Sequence, residues 1–329
     1  MINFPGVFGH ENAKERLLSA YQKDRIPSAY LFIGENGIGK STLVKAFAQL
    51  INCETNDYCR QCPNCRLYDS GSHPDFKIVK PDGQFIKISQ VHDLINLLSL
   101  KPAYAKKRII LVKDANRLNQ EAANSFLKIL EEPPLNTLII LMTLDETLLL
   151  ETILSRCQKI QFAPLTKNNL KRILDKDYSI NEEEIELVLN YSKGIVRKDF
   201  IANSAVLYTM RIQVFKILTG LSDESMATHF NLVDHWIKKE LHNYFFEFCA
   251  HWIKDFCYFK DQQLELVTNR DLMGELKAMN LNYTKEQLLW AFNLTIETEM
   301  AVRLNAGKAL AIESLLIQLK QVFAGALVI

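Results

Sequence analysis

The chain has 329 residues, 48% hydrophobic and 23% charged, the balance of a globular protein with room for two or three domains. A formal net charge of +1 excludes nucleic-acid binding through a global basic field, so any such contact falls to a local patch or to partner subunits. The N-terminus has no basic stretch followed by an apolar one, and the apolar runs (Ile109 to Val112, Leu138 to Met142) are too short to span a bilayer, so no membrane association and a cytoplasmic location are expected.

Phe4 to Glu11 is a turn-rich lead into a helix predicted from about Asn12 to Lys23, and Arg25 to Ser28 form a loop. The apolar run Leu31-Phe32-Ile33 then enters Gly34-Glu35-Asn36-Gly37-Ile38-Gly39-Lys40-Ser41-Thr42, followed by helical spacing at Leu43, Phe47 and Leu50. This is the strand–loop–helix form in which G-x-x-x-x-G-K-[ST] binds nucleotide phosphates. Gly34, Gly37 and Gly39 allow successive N–H groups to turn toward phosphate oxygens, and the helix presents its positive end to the same anion. Lys40 is expected to reach the β- and γ-phosphates of ATP (or ADP) and the Ser41 hydroxyl to ligate Mg²⁺, with Asn36 and Thr42 in the same binding set.

Four of the seven cysteines follow within thirteen residues, at Cys53, Cys59, Cys62 and Cys65. Two overlapping Cys-x-x-Cys spacings and a fourth cysteine at the preceding helix end supply the ligands of a closed, structural Zn²⁺ site. A redox Cys-x-x-Cys pair or unliganded thiols are the alternatives. His73, in Ser72-His73-Pro74-Asp75, is either a competing ligand or a solvated turn residue.

Phe76 to Val79 reads as a short buried strand, and a helix with Val91, Leu94, Leu97 and Leu98 on one stripe is expected to be capped by Ser89. Further strands are expected at Ile109 to Val112, Leu138 to Met142 and Lys159 to Phe162, with a helix from about Gln120 to Leu130 that stops before Pro133. Continuous apolar strands alternating with helices mean a parallel sheet covered on both faces, with ligands at the strands' carboxyl ends. That geometry groups Asp114 and Thr143 with the phosphate loop. Past Lys167 strand-like alternation ceases. Short helices (about 167–175, 181–193, 197–206) precede longer ones over 208 to 329, where Phe245, Phe246, Phe248, Trp252, Ile253 and Phe256 read as core.

Several of these stretches together resemble the clamp-loader branch of the AAA+ ATPases, in particular its delta-prime type. They are Val7-Phe8-Gly9-His10-Glu11, the phosphate loop, the four-cysteine insert, Ala123 to Pro134 (with Leu-Lys-Ile-Leu-Glu-Glu-Pro-Pro), Ile153-Leu154-Ser155-Arg156-Cys157, and Leu304-Asn305 with Leu310 to Leu316. The resemblance covers the first 165 residues well, the next 40 moderately and the remainder only near its end. It implies a RecA-like α/β domain with a zinc module (1–164), a small three-helix lid (165–207) and a helical collar (208–329) that assembles a five-subunit ring. The implied partners are the gamma/tau and delta subunits of bacterial DNA polymerase III, the sliding clamp and, through the assembled ring, primed DNA.

The resemblance also implies site roles. Val7 joins the nucleotide-binding residues. Thr143 matches the polar sensor after the third core strand, and Arg197 in Gly194-Ile195-Val196-Arg197 matches the second sensor, with a surface arginine as its alternative. Arg156 matches the arginine finger presented to a neighbouring ATP site, with a strand-end cap as its alternative. Clamp-loader ATPases carry an Asp-Glu pair after the second core strand. Here those positions fall on Lys113 and Asp114, or, shifted by one, on Asp114 and Ala115, so one carboxylate is missing in either register. The expectation is a subunit that binds nucleotide and turns over little or none by itself. An active gamma/tau-type ATPase is the alternative, against which Lys113 and the end at Ile329 both count. A small-molecule P-loop kinase or transferase with a zinc knuckle leaves the Glu-Glu-Pro-Pro and Ser-Arg-Cys segments and the long helical C-terminal half unexplained. The near-neutral charge and a cysteine module without an aromatic–basic recognition helix count against a zinc-dependent DNA-binding adaptor.

Overall fold

The structure, a computed structural model, describes residues 4–220, 226–278 and 283–324. Met1 to Asn3, and residues 221–225, 279–282 and 325–329 of the expected collar, lie outside the described residues.

Packing divides the chain into two compact units, Met1–Tyr178 with Ser192–Arg197, and Ser179–Tyr191 with Lys198–Ile329. The first alternates helices and strands: α1 (Glu11–Gln22), β1 (Ala29–Ile33), α2 (Lys40–Asn52), α3 (Pro63–Ser70), β2 (Phe76–Val79), α4 (Ile88–Leu98), β3 (Arg108–Val112), α5 (Gln120–Glu131), β4 (Thr137–Thr143), α6 (Glu151–Leu154), β5 (Gln158–Gln161) and α7 (Lys167–Asp177). The five strands form one parallel sheet in the order β2-β3-β4-β1-β5. The continuous apolar strands β1, β3 and β4 occupy its buried middle, while β2 and β5, interrupted by Lys77 and Lys159, are its edges.

Alternation within each strand supplies both faces of the sheet. Tyr30, Phe32, Leu111 and Ile140 pack with α1 and α2, whereas Leu31, Ile33, Ile110 and Leu141 pack with α4, α5 and α6. The result is the α/β/α sandwich expected of an AAA+ domain. Caps fix the helix starts that matter. Asn119 accepts a hydrogen bond from the Ala122 N–H (2.9 Å) to begin α5, and Thr166 accepts one from Asn169 (3.2 Å) to begin α7. Ser89 does not cap α4. The helix begins one residue earlier, at Ile88, and the Gln90 side chain reaches back to the Lys87 N–H (3.0 Å).

The second unit is helical throughout its described residues: α8 (Glu182–Tyr191), α9 (Lys198–Ala202), α10 (Ser204–Gly220), α11 (Met226–Lys238), α12 (His242–Lys260), α13 (Met273–Ala278), α14 (Lys285–Arg303) and α15 (Lys308–Phe323). The aromatic stripe of α12 is core, as its spacing predicts, with Phe245, Phe246, Phe248, Trp252 and Phe256 fully buried. A polar network sits within that core. Arg211 donates to Asp271 (2.6 Å) and Asn269 (3.2 Å), and Asn269 accepts from the Tyr191 hydroxyl (2.8 Å) and donates to buried Asp255 (2.7 Å). Each bond compensates desolvation that an unpaired group would suffer, which ties α8, α10 and α12 to the segment that holds Asn269.

Candidate functional site

The phosphate loop connects the carboxyl end of β1 to the amino end of α2. Its glycines are there because the backbone needs them. Gly34 has φ 146°, and a Cβ on it would lie 2.6 Å from the Phe162 carbonyl oxygen; Gly37 has φ 82°, and its Cβ would lie 2.7 Å from that of Val196. Gly39, at φ 103°, precedes the first helical residue, Lys40. Lys40 is 3% exposed, and its ammonium donates to the Gly34 and Glu35 carbonyls (2.8 Å for Glu35), so the loop is wrapped around its own cation. Burial lowers the Lys40 pKa, while the Asp114 and Glu35 carboxylates act to raise it. The Gly34 N–H donates to the Thr143 carbonyl (3.1 Å), which joins β1 to β4 at the site.

His10 holds the other side of the loop, a contact that its sequence position alone did not reveal. Its Nε2 lies 2.5 Å from the Ile38 carbonyl oxygen, its ring meets that of Phe162 at 4.9 Å and a 59° tilt, and burial lowers its pKa. The neutral ring thus serves as a donor to the loop. The Val196 N–H donates to the Gly37 carbonyl (3.0 Å), which brings Gly194 to Arg197 against the loop as well.

The remaining expected residues divide by location. Asn36 and Thr42 are exposed on the loop and the first turn of α2, and the Ser41 hydroxyl lies beside the Met142 sulfur (3.7 Å). Val7 is buried next to Phe4, and Arg197 is half-buried directly after Val196. Thr143 is 2% exposed, and its hydroxyl donates to the Asp145 carbonyl (2.8 Å), within its own strand-end turn. Asp114, in the left-handed region at φ 50°, contributes its charge to Lys40, whereas Ala115 is fully buried in the core on the α5 side. Arg156 is not among these neighbours. It precedes β5, and the register Tyr30 to Gln158 and Ile33 to Gln161 puts it at the amino end of the sheet. It stands in the turn before Gln158, and at about 3.3 Å per residue the strand from Gln158 to the level of Gly34 alone spans roughly 13 Å.

The four cysteines gather where α2 ends. Their Sγ atoms all lie within 4.8 Å of one another, and Cys59 and Cys65 approach to 4.0 Å. Tetrahedral zinc at about 2.3 Å from each sulfur needs sulfurs about 3.8 Å apart, so the set fits the ion with a small contraction. Backbone N–H groups point at the sulfurs: Cys59 at Cys53 Sγ (3.4 Å), Gln61 and Cys62 at Cys59 Sγ (3.4 and 3.3 Å), and Cys65 at Cys62 Sγ (3.5 Å). Burial would raise the Cys53 pKa, but the Cys59 N–H together with Thr55 and the Asp57 backbone brings it down to about 6; burial pushes Cys65 up to about 12. His73 is neither ligand nor solvated. It is 5% exposed, stacked on Tyr68 (4.2 Å) and bonded to Asn64 (3.0 Å).

Comparison with known proteins gives the chain a family. A family model described as DNA polymerase III, delta subunit, matches residues 9–166. DNA polymerase III subunit delta' of Bacillus subtilis is 31% identical over 224 residues, 67% of this chain and 68% of that protein. The chain belongs to the delta-prime/gamma/tau family of DNA polymerase III subunits. Another relative in the family, the gamma/tau subunit of Mycoplasma genitalium, is 27% identical over 314 residues, 89% of this chain, and the match spans about half (51%) of its length. A gamma subunit-related protein of Thermotoga maritima has a crystal structure that aligns with 93% of this chain and 99% of its own at a TM-score of 0.46 and 17% identity. Among the described residues of this family member, no helix is long and apolar enough to cross a membrane.

Proposed function

We propose that this chain is the delta-prime-type subunit of a DNA polymerase III clamp loader. It binds ATP or ADP with Mg²⁺ at Gly34 to Thr42, turns the nucleotide over weakly or not at all, and supplies Arg156 to a neighbouring ATPase subunit. The observation that carries this reading is the placement of Arg156 at the opposite end of the sheet from the phosphate loop. A guanidinium beyond the amino end of β5, with the length of the strand between it and its own loop, is out of reach of its own nucleotide but available to another subunit's. A trans arginine of this kind accelerates phosphoryl transfer by about 10³–10⁵.

Weak intrinsic turnover follows from the strand end after β3. Asp114 is the one carboxylate there, flanked by Lys113 and by buried Ala115. One acid can hold Mg²⁺ through water or orient the attacking water; two acids are needed for both. Val7, Thr143 and Arg197 complete the nucleotide pocket in this reading, and Zn²⁺ on Cys53, Cys59, Cys62 and Cys65 closes the insert without taking part in chemistry. Residues 1–164, 165–207 and 208–329 act as nucleotide domain, lid and collar. The collar joins gamma/tau and delta subunits in a five-subunit cytoplasmic ring that opens the sliding clamp and places it on primed DNA.

The test is ATP binding and steady-state hydrolysis by the purified chain, alone and with gamma/tau-type subunits. Binding without turnover alone, and a drop in the partner's turnover of at least a hundredfold on Arg156→Ala, are expected. Brisk hydrolysis by the chain alone would instead identify an active gamma/tau-type ATPase.

A further inference from the structure

Arg156 is tethered within its own chain, and the tether includes a residue from a different motif. Nη1 donates to the Thr152 carbonyl (2.8 Å) and to the Ser155 hydroxyl (3.2 Å), while Nη2 donates to Glu131 Oε1 (2.8 Å). Both terminal nitrogens, which a forked grip on phosphate oxygens employs, are therefore already engaged. Two of the three acceptors are neutral. Only Glu131 carries charge, and at 34% and 50% side-chain exposure Arg156 and Glu131 are both reachable from outside.

The position of Glu131 points the same way. It is the last residue of α5, with Glu132 next and Pro133-Pro134 after that. Carbonyl groups at a helix's carboxyl end make a negative pole that disfavours acids and favours cations. Two consecutive carboxylates there repel the pole and each other unless a cation answers them, and the guanidinium of Arg156 does so. Pro133 holds Glu132 out of helical geometry, which fixes where α5 ends and hence where Glu131 stands. An exposed pair of this kind adds little to folding stability, so its geometry is better understood through what it does to the arginine.

We propose that Glu131 is a positioning residue that holds Arg156 parked until a phosphate group of a neighbouring subunit's nucleotide displaces the carboxylate. The proposal rests on the reading of Arg156 as supplied in trans. A nucleotide triphosphate offers more negative charge and more acceptor oxygens than one carboxylate, so it wins the guanidinium. It does so against the cost of breaking the Glu131 contact, which makes Glu131 the setting of the threshold for engagement.

The experiment compares the full-length chain and its Glu131→Gln, Glu131→Asp, Arg156→Ala and Glu131→Gln/Arg156→Ala variants. Each is titrated into a gamma/tau-type ATPase subunit while steady-state ATP turnover is followed. Gln keeps the shape but not the charge, and Asp keeps the charge on a shorter stem. With Glu131→Gln, half-maximal stimulation is expected at about two- to five-fold lower chain concentration, the range an exposed ion pair supports. The shift should shrink with added salt, be smaller for Glu131→Asp, and vanish in the Arg156→Ala background. An unchanged or raised half-maximal concentration for Glu131→Gln, with Arg156→Ala still impaired, overturns the role given to Glu131 and leaves the trans arginine standing. Normal stimulation by Arg156→Ala overturns both.

Discussion

Asp75 and Arg108 are the clearest case of two residues whose roles exist only in the folded chain. Asp75 is 1% exposed and Arg108 4%, and they pair at 3.2 Å. Asp75 also accepts from the N–H groups of Ala103, Tyr104 and Ala105, and Arg108 donates to the carbonyls of Leu97, Leu100 and Lys101. Together they fold the connection from α4 to β3 onto the amino end of the sheet. Burial would raise the Asp75 pKa, yet the three N–H donors and Arg108 outweigh it and hold the carboxyl below the usual range. A lowered folded-state pKa stabilises the fold fully above the ordinary carboxylate pKa, and that contribution is lost as pH falls through the lowered one. Asp75→Asn leaves a buried guanidinium without its countercharge, and the expected cost is about 3–5 kcal/mol, read as a lower urea midpoint at pH 7. The gap between variant and parent should narrow toward pH 3; a constant gap would mean that the carboxylate's charge is not what matters. In the sequence, Asp75 is one residue of a turn and Arg108 the end of a basic run. Thirty-three positions separate them with no periodicity to link them.

The cysteine module shows how far local spacing reads through to an element. Spacing picked out the four cysteines that the fold gathers within 4.8 Å, because short Cys-x-x-Cys steps leave few other ways to bring soft donors together. It did not reveal α3, which Pro63 at the first helical position and the Cys62 sulfur, accepting from the Cys65 N–H, start inside the module. The loop before it runs through three non-glycine left-handed residues, Asn56, Tyr58 and Arg60, at φ 59°, 64° and 58°. Such conformations cost of order 1 kcal/mol each and need something to hold them. The N–H groups aimed at sulfur are part of that support, and zinc bound by the four thiolates would supply the rest. The module is stapled to the sheet by Asn52, which donates to the Tyr68 hydroxyl (2.8 Å) and the Lys107 carbonyl (2.9 Å). Chelation is therefore expected to lower the melting temperature and to speed amide exchange over residues 53–65. ATP affinity should change less than about threefold, since the phosphate loop lies at the far end of α2, about 20 Å away at 1.5 Å per residue. A parallel collapse of ATP binding would assign the module a direct part in the nucleotide site.

At the scale of the whole molecule, the strand–helix alternation told the parallel sheet and its two covered faces from the sequence, because buried parallel strands are apolar at every position and their connections must be helices. What alternation cannot tell is which later segment returns to the sheet. Residues 192–197 belong with the first unit although the helices on either side, α8 and α9, belong with the second. The return is made by two backbone hydrogen bonds, Leu165 N–H to Gly194 (2.9 Å) and Val196 N–H to Gly37 (3.0 Å), and by Ile195, which packs against the core on the α1 and α2 side; no periodic side-chain pattern encodes it. The second hydrogen bond holds the phosphate loop itself. A chain ended at Tyr178 keeps every strand but loses the Val196 donor together with Ile195 and Arg197, so it is expected to retain the fold of the sheet while binding ATP with Mg²⁺ at least about tenfold more weakly, more than the scale of one hydrogen bond. Val196→Pro in the full-length chain removes that donor at a position that precedes α9 and lies outside any helix. If the loop depends on the Val196 donor, the proline variant weakens ATP binding by up to about tenfold and the truncation by more, as titration with a fluorescent nucleotide would measure. Full affinity in the proline variant would show that the loop is held by His10 and Lys40 alone.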